Sequence, residues 1–191
     1  SSNSHYALAL MHALTAIGWG GVVIHFRGCS GESNRLPRAY HSGDSAEADW
    51  ILRRLKTENP DRPLFAAGVS LGGNVLLKWL GEHESSAGQI VCAAASISAP
   101  LDLSACGHHL ARGFNRIYTQ HFLHTLKRNS EAKLKRYPGL FDADRMRQAS
   151  TLYAFDDAVT GPLHGFAGAD DYWRRASSKP WLPAITVPTL L

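Results

Sequence analysis

Leu64-Phe65-Ala66-Ala67-Gly68-Val69-Ser70-Leu71-Gly72-Gly73-Asn74-Val75-Leu76 is the stretch on which the reading of the fold turns. A short apolar run, Leu64 to Val69, leads directly into Ser70. A helical pattern then starts near Gly72, with Val75, Leu76, Trp79 and Leu80 on one face and Gly81 just past it. Gly68-Val69-Ser70-Leu71-Gly72 is therefore a G-x-S-x-G set between a predicted strand and a predicted helix, the context of a nucleophile elbow. Two glycines around a serine also arise by chance in loops, so the flanking elements carry the argument. A serine hydroxyl at its ordinary pKa is a poor nucleophile and needs exposure, a base and donors for the oxyanion. A tight turn exposes Ser70, the Leu71 N–H can face a substrate oxygen, and the helix N-terminus adds a favourable field. Gly68 and Gly72 are expected to leave room for the strained turn, and Gly73 adds no bulk.

The surrounding pattern places this turn in an α/β fold. Upstream, residues 4 to 17 have helical spacing, and the β-branched run Val22-Val23-Ile24-His25-Phe26 reads as a strand covered on both faces. Residues 44 to 58 carry Ala46, Trp50, Ile51 and Leu55 at helical spacing and end in Asn59-Pro60-Asp61-Arg62-Pro63. Downstream, Ile90 to Ile97 is a further strand-like run. Helix and strand alternate as in a mainly parallel sheet with flanking helices. Competing glycine patterns fare worse: Gly18-x-Gly20-Gly21 precedes its strand, Gly28-x-x-Gly31 lacks the rest of a dinucleotide fingerprint, and no phosphate-binding G-x-x-x-x-G-K-[ST] occurs.

Residues 101 to 180 break the alternation. Phe114, Ile117, Tyr118, His121, Phe122, Thr125 and Leu126 recur at three and four, followed by Lys127, Arg128, Lys133, Lys135 and Arg136. This predicts a helical insertion, placed where a lid over a ligand site could sit. Phe155 to Trp173 reads as ordered loop with short helices, and a strand signal returns at Ile185 to Leu191.

The 191 residues, 45% apolar and 19% charged, suit one soluble globular domain. No apolar run is long enough for a membrane span and no charged stretch followed by an apolar one appears at the start, so neither a span nor an intact signal peptide is expected within these residues. A net charge of +4 is too small to argue for nucleic acid. Cys29, Cys92 and Cys106 form no framework and suit reduced thiols in a cytoplasmic protein. The chain starts at Ser1 without Met and stops as an apolar run begins, so it is expected to be a segment of a longer protein, incomplete at both ends. The expected layout is one domain, with core in 1–100, cap in 101–180 and the start of the next core strand in 181–191.

Six blocks together resemble the YheT-like branch of the α/β-hydrolases. They are His25 to Glu32, Tyr40-His41-Ser42-Gly43-Asp44, Gly68 to Asn74, Ser98-Ala99-Pro100-Leu101-Asp102-Leu103, Phe155-Asp156-Asp157, and His164 to Trp173. The resemblance implies a mainly parallel α/β-hydrolase sheet with an inserted helical cap. It also implies a serine hydrolase of carboxylic esters, with Ser70 as nucleophile, Leu71 giving one oxyanion N–H, and no cofactor. Members carry the second oxyanion donor in a His-Gly-Leu-x-Gly-type segment that would precede Ser1-Ser2-Asn3-Ser4. Their catalytic acid and histidine would follow Leu191. The isolated chain is then expected to lack a complete triad.

Other readings stay open beside this one. Asp156 or Asp157 with His164 would satisfy the order serine, acid, histidine, although these residues, like Asp170 and Asp171, lie in the insertion, where helix capping is their plainer role. Cys106-x-His108-His109 invites a metal, but adjacent histidines cannot easily face one ion, and none is expected. Arg27 either ties loop backbone or orients a substrate carbonyl. The basic run is a solvated helix end, or a surface for anionic lipid with Phe114, Ile117, Phe122 and Leu126 facing an acyl pocket; nucleic acid is the remotest partner. The cap's apolar stripe favours medium or long acyl esters as the small-molecule substrate. Acyl transfer, thioester hydrolysis, or binding without turnover on the same fold are the alternatives.

Overall fold

A computed structural model describes residues 2–32 and 34–191; Ser1, expected to open the N-terminal segment, and Ser33 lie outside the described residues. The chain forms two compact units, 1–40 and 41–191.

In the first unit, helix α1 (His5–Ala16) ends where Gly18 takes φ 74°, and the Trp19 N–H returns to Leu14 O at 2.9 Å. Val22 to Phe26, expected as a strand, forms none. Val22 and Ile24 are 64% and 47% exposed. The physical reason is pairing: strand propensity expresses itself only against a partner ladder, and this unit has no strand among its described residues. Phe26 instead stacks on Tyr40 at 5.1 Å.

The second unit holds the sheet. After α2 (Ser45–Glu58) come β1 (Phe65–Val69), α3 (Leu71–Ala87) and β2 (Ala93–Ile97), and β3 (Thr189–Leu190) returns after the insertion. Among the described residues the order is β1-β2-β3, all parallel, with Phe65 opposite Ala93, Val69 opposite Ile97 and Ala94 opposite Thr189. The apolar face of α3 meets Leu52, Ile90, Val91 and Val187 in the main core. Leu77, Trp79 and Leu80 are fully enclosed there; burying each such side chain contributes roughly 1.5–3 kcal/mol.

Two details of α3 depart from expectation. Gly81 lies inside the helix, not past it, because a Cβ there would strike the backbone and Cβ of Trp181, the latter at 2.6 Å. The helix is broken at Glu84 (φ 46°, ψ −126°), whose carbonyl accepts from Thr186 Oγ1 at 3.1 Å.

The insertion is helical, as the periodicity predicts: α4 (Leu103–Leu110), α5 (Asn115–Arg136), α6 (Ala143–Gln148), α7 (Leu152–Phe155), a π turn over Asp156–Thr160, α8 (Gly161–His164) and α9 (Ala169–Ala176). Phe155 to Trp173, expected as loop with short helices, is mostly helix, with the chain reversing at Gly165 and Gly168. Two small cores hold it together, one around Leu123, Phe141, Met146 and Phe155, the other around Leu103, Tyr172, Trp173 and Ala176. Leu126 packs against the first of these and so faces inward, contrary to its expected place on an acyl-facing stripe. No helix among the described residues is long and apolar enough to cross a membrane.

Candidate active site

Ser70 sits at the junction of β1 and α3 with φ 52° and ψ −119°, outside the regions a residue with a side chain normally occupies. The backbone holds it there. Its N–H donates to Ile97 O of the neighbouring strand at 2.8 Å, and its carbonyl accepts from Gly73 N at 2.9 Å and Asn74 N at 3.2 Å. The side chain is thereby turned out of the sheet edge and is exposed. Leu71 is the first residue of the helix, so its N–H is one of those the helix leaves without an internal acceptor.

The crowding that demands glycine is not distributed as expected. A Cβ at Gly68 would strike Gly72 and come within 2.7 Å of Gly73 Cα, and one at Gly73 would lie 2.5 Å from Ser96 Oγ. At Gly72 it would meet nothing within 4 Å. The turn is tight between residues 68 and 73 because helix and strand touch there, whereas position 72 faces open space.

Asn74, one turn into α3, is fully buried. Its amide donates to Ser42 O at 2.7 Å and Ala176 O at 2.8 Å, and its Oδ1 accepts from Ser178 N at 2.9 Å. Tyr172 extends the clamp: its hydroxyl accepts from Ser42 N and donates to Ser42 Oγ, both at 2.8 Å. The turn bearing Ser70 is thus tied to the 41–44 segment and to the end of α9. Sequence reasoning missed these partners, because Asn74 lies opposite the predicted apolar face of Val75, Leu76, Trp79 and Leu80 and periodicity gave no signal for its burial.

Farther along α3, Lys78 is buried, ion-paired with Glu82 and 5.6 Å from the Trp181 ring. A cavity of about 590 Å³ opens there between His41, Lys78, Glu82, His164, Phe166 and Trp181. Its helical wall, Lys78 and Glu82, lies about two to three turns from Ser70.

The acidic residues of the insertion are engaged inside it. Asp156 accepts from Thr160 Oγ1 at 2.6 Å and Trp173 Nε1 at 2.8 Å, and burial pushes its carboxyl up to about 6 against these two hydrogen bonds. Asp157 accepts from Ala169 N at 3.0 Å and Arg145 at 2.7 Å. Asp170 takes the Tyr153 hydroxyl at 2.8 Å, and Asp171 takes the Ala167 N–H and two arginines, Arg174 and Arg175. His164 lies edge-on to His41 at 4.7 Å. The hydrogen bonds of Asp156 therefore do not join it to His164. His108 packs between Tyr153 and Trp173, and the Cys106 thiol is pushed up by burial and by the Asp102 charge. Among the described residues no three His, Cys, Asp or Glu side chains gather as a metal site. Arg27 is half-buried in the first unit.

Comparison with known proteins places the chain in a family. Residues 2–191 match the family model described as Serine aminopeptidase, S33. The chain is 44% identical over its whole length to the Putative esterase YheT of Escherichia coli, covering 56% of that protein. It is 29% identical to human Phospholipase ABHD3, all of this chain aligning with 46% of that one. It is 30% identical to the Monoacylglycerol lipase of Saccharomyces cerevisiae, with 98% of this chain and 43% of the other aligned. The chain thus spans about half the length of the curated relatives it matches. No solved structure matches it. With a parallel sheet, flanking helices and a helical insertion behind the strand–serine–helix turn, the chain belongs to the serine aminopeptidase S33 family as a YheT-like α/β-hydrolase.

Proposed function

We propose that this chain carries the nucleophile of a carboxylic ester hydrolase, Ser70, and one oxyanion donor, the Leu71 N–H. The observation that carries the reading is the exposed, left-handed serine held between the end of β1 and the start of α3. In that position Ser70 Oγ attacks the acyl carbonyl as a base takes its proton. The Leu71 N–H and the helix field stabilise the oxyanion, the alcohol departs, and water releases the acid from the acyl-enzyme. The base, its orienting acid and a second oxyanion donor are assigned to polypeptide outside residues 1–191. Residues 101–180 are read as the cap, with residues 181–191 leading into the next core strand. Relatives named esterase, phospholipase and monoacylglycerol lipase support an ester substrate; a medium or long acyl chain is part of this proposal.

The test compares hydrolysis of p-nitrophenyl butyrate and octanoate by this chain and by a version extended at both ends, each with and without Ser70→Ala, alongside fluorophosphonate labelling. Turnover and labelling confined to the extended protein, and abolished by Ser70→Ala, are expected. Undiminished turnover in Ser70→Ala removes Ser70 as nucleophile. Equal activity of the short chain returns Asp156, Asp157 and His164 to consideration. An extended protein that neither labels nor turns over is a binding protein on a hydrolase fold.

A further inference from the structure

Helix α5 presents two unlike faces. Thr119, Leu123 and Ser130 are buried, and Leu126 and Leu134 pack with them against the insertion's core. On the other side Phe114, Ile117, Tyr118 and Phe122 are 91%, 70%, 66% and 50% exposed. Advancing 100° per residue, these four form one stripe over the first two turns. The same side continues toward the C-terminus as Arg128, Lys135 and Arg136, all exposed. Across α5 the bases Arg116, Lys127, Arg128, Lys133, Lys135 and Arg136 stand against a single acid, Glu131, and both of its oxygens are taken by Arg147.

We infer that this outer face of α5 is a docking surface for an anionic lipid bilayer. An aromatic and aliphatic tip followed by bases in excess of acids is the pattern of a helix lying in a membrane interface, with Phe114, Ile117 and Phe122 among the acyl chains and the arginines at the phosphates. Tyr118, with an apolar ring and a polar tip, suits the headgroup level. The exposed residues at the sheet, Phe65, Ile97 and Leu190, show no such pairing with charge. Single-stranded nucleic acid fits less well, because rings and cations are segregated along the helix and not interleaved along one groove. The inference concerns binding alone and does not depend on Ser70 being a nucleophile.

The test is vesicle flotation of this chain and of the extended protein, with phosphatidylglycerol and phosphatidylcholine at 3:7 against pure phosphatidylcholine. Both proteins are expected on the anionic vesicles, with salt-sensitive binding. Phe114→Ser with Ile117→Ser, at positions exposed enough to leave folding intact by circular dichroism, is expected to weaken binding at least about tenfold. Arg128→Gln with Arg136→Gln is expected to weaken it about fivefold per charge removed. Ser70→Ala should float like the wild type, which separates this inference from the catalytic reading. Equal binding by the variants overturns the proposal, as does indifference to phosphatidylglycerol. A longer protein or a self-associated dimer that covers the stripe and does not float also overturns it, as does an oligonucleotide that binds the same residues while vesicles do not.

Discussion

Ser70 and Ser98 leave the sheet side by side. Val69 and Ile97 are register partners in adjacent parallel strands, and the residue after each takes a positive φ, 52° at Ser70 and 51° at Ser98. Left-handed backbone costs a residue with a side chain about 1–2 kcal/mol, and a β-branched one more. Ser98→Val is therefore expected to lower stability by at least about 1 kcal/mol in urea denaturation, and Ser98→Gly to hold or raise it. Because Ile97 O anchors the Ser70 N–H, the valine variant should also slow fluorophosphonate labelling of Ser70 in the extended protein. An unchanged rate would show that the two turns are uncoupled.

Contrasting glycine variants check the elbow's geometry. Gly68→Val forces a side chain into the backbone of residues 72 and 73, so a loss of more than about 3 kcal/mol or failure to fold is expected. Gly72→Ala meets open space, and its melting temperature should stay within a few degrees of the wild type.

Asn74→Ala leaves two buried carbonyls and one N–H without their amide partner. At about 1–3 kcal/mol for a buried polar group left unsatisfied, a total loss of roughly 3 kcal/mol is expected by calorimetry. Asn74→Asp should fare no better, since a carboxylate cannot donate to Ser42 O or Ala176 O.

Asp156 sets a pH dependence. Its folded-state carboxyl, raised to about 6, holds a proton that the unfolded chain releases near the ordinary value of about 4. Between these values the native state binds more protons, so this group's contribution to stability declines as pH rises from 4 to 6 and stays low above that. Asp156→Asn keeps an acceptor for Trp173 and can donate to Thr160. Melting scans from pH 4 to 8 should therefore show the variant gaining on the wild type as pH rises; parallel curves would contradict a raised carboxyl.

The legible part of the molecule is the part governed by local pattern. α3 announces itself by periodicity because its own apolar residues supply the buried face, and β1 and β2 by short apolar runs. The stripe that announces α5, Phe114, Ile117, Tyr118 and Phe122, is exposed, and its buried residues are Thr119, Leu123 and Ser130. Val22 to Phe26 has equal strand propensity and forms no strand, since propensity does not provide a partner. Gly81 looked like a stop signal and is a contact point, because Trp181 lies a hundred residues away in the chain and only the fold brings it near. For the same reason Ser70 could be singled out from five residues, whereas the Asn74 clamp joins segments 32, 102 and 104 residues apart.

The path by which the insertion returns to the sheet determines how it can move. From residue 176 onward the chain runs back along α3, touching Asn74 at Ala176 and Ser178, Lys78 and Gly81 at Trp181, and Glu84 at Thr186. Its entry is stitched to the same strip, Lys179 N to Leu101 O and Leu103 N to Ser177 Oγ, each at 2.9 Å. Swinging the insertion as a hinged lid would mean peeling a whole seam off the helix that positions Ser70. Its base and that helix therefore behave as one rigid piece, and what freedom the insertion has rests with its far end, where α5 and α6 close around a core of their own.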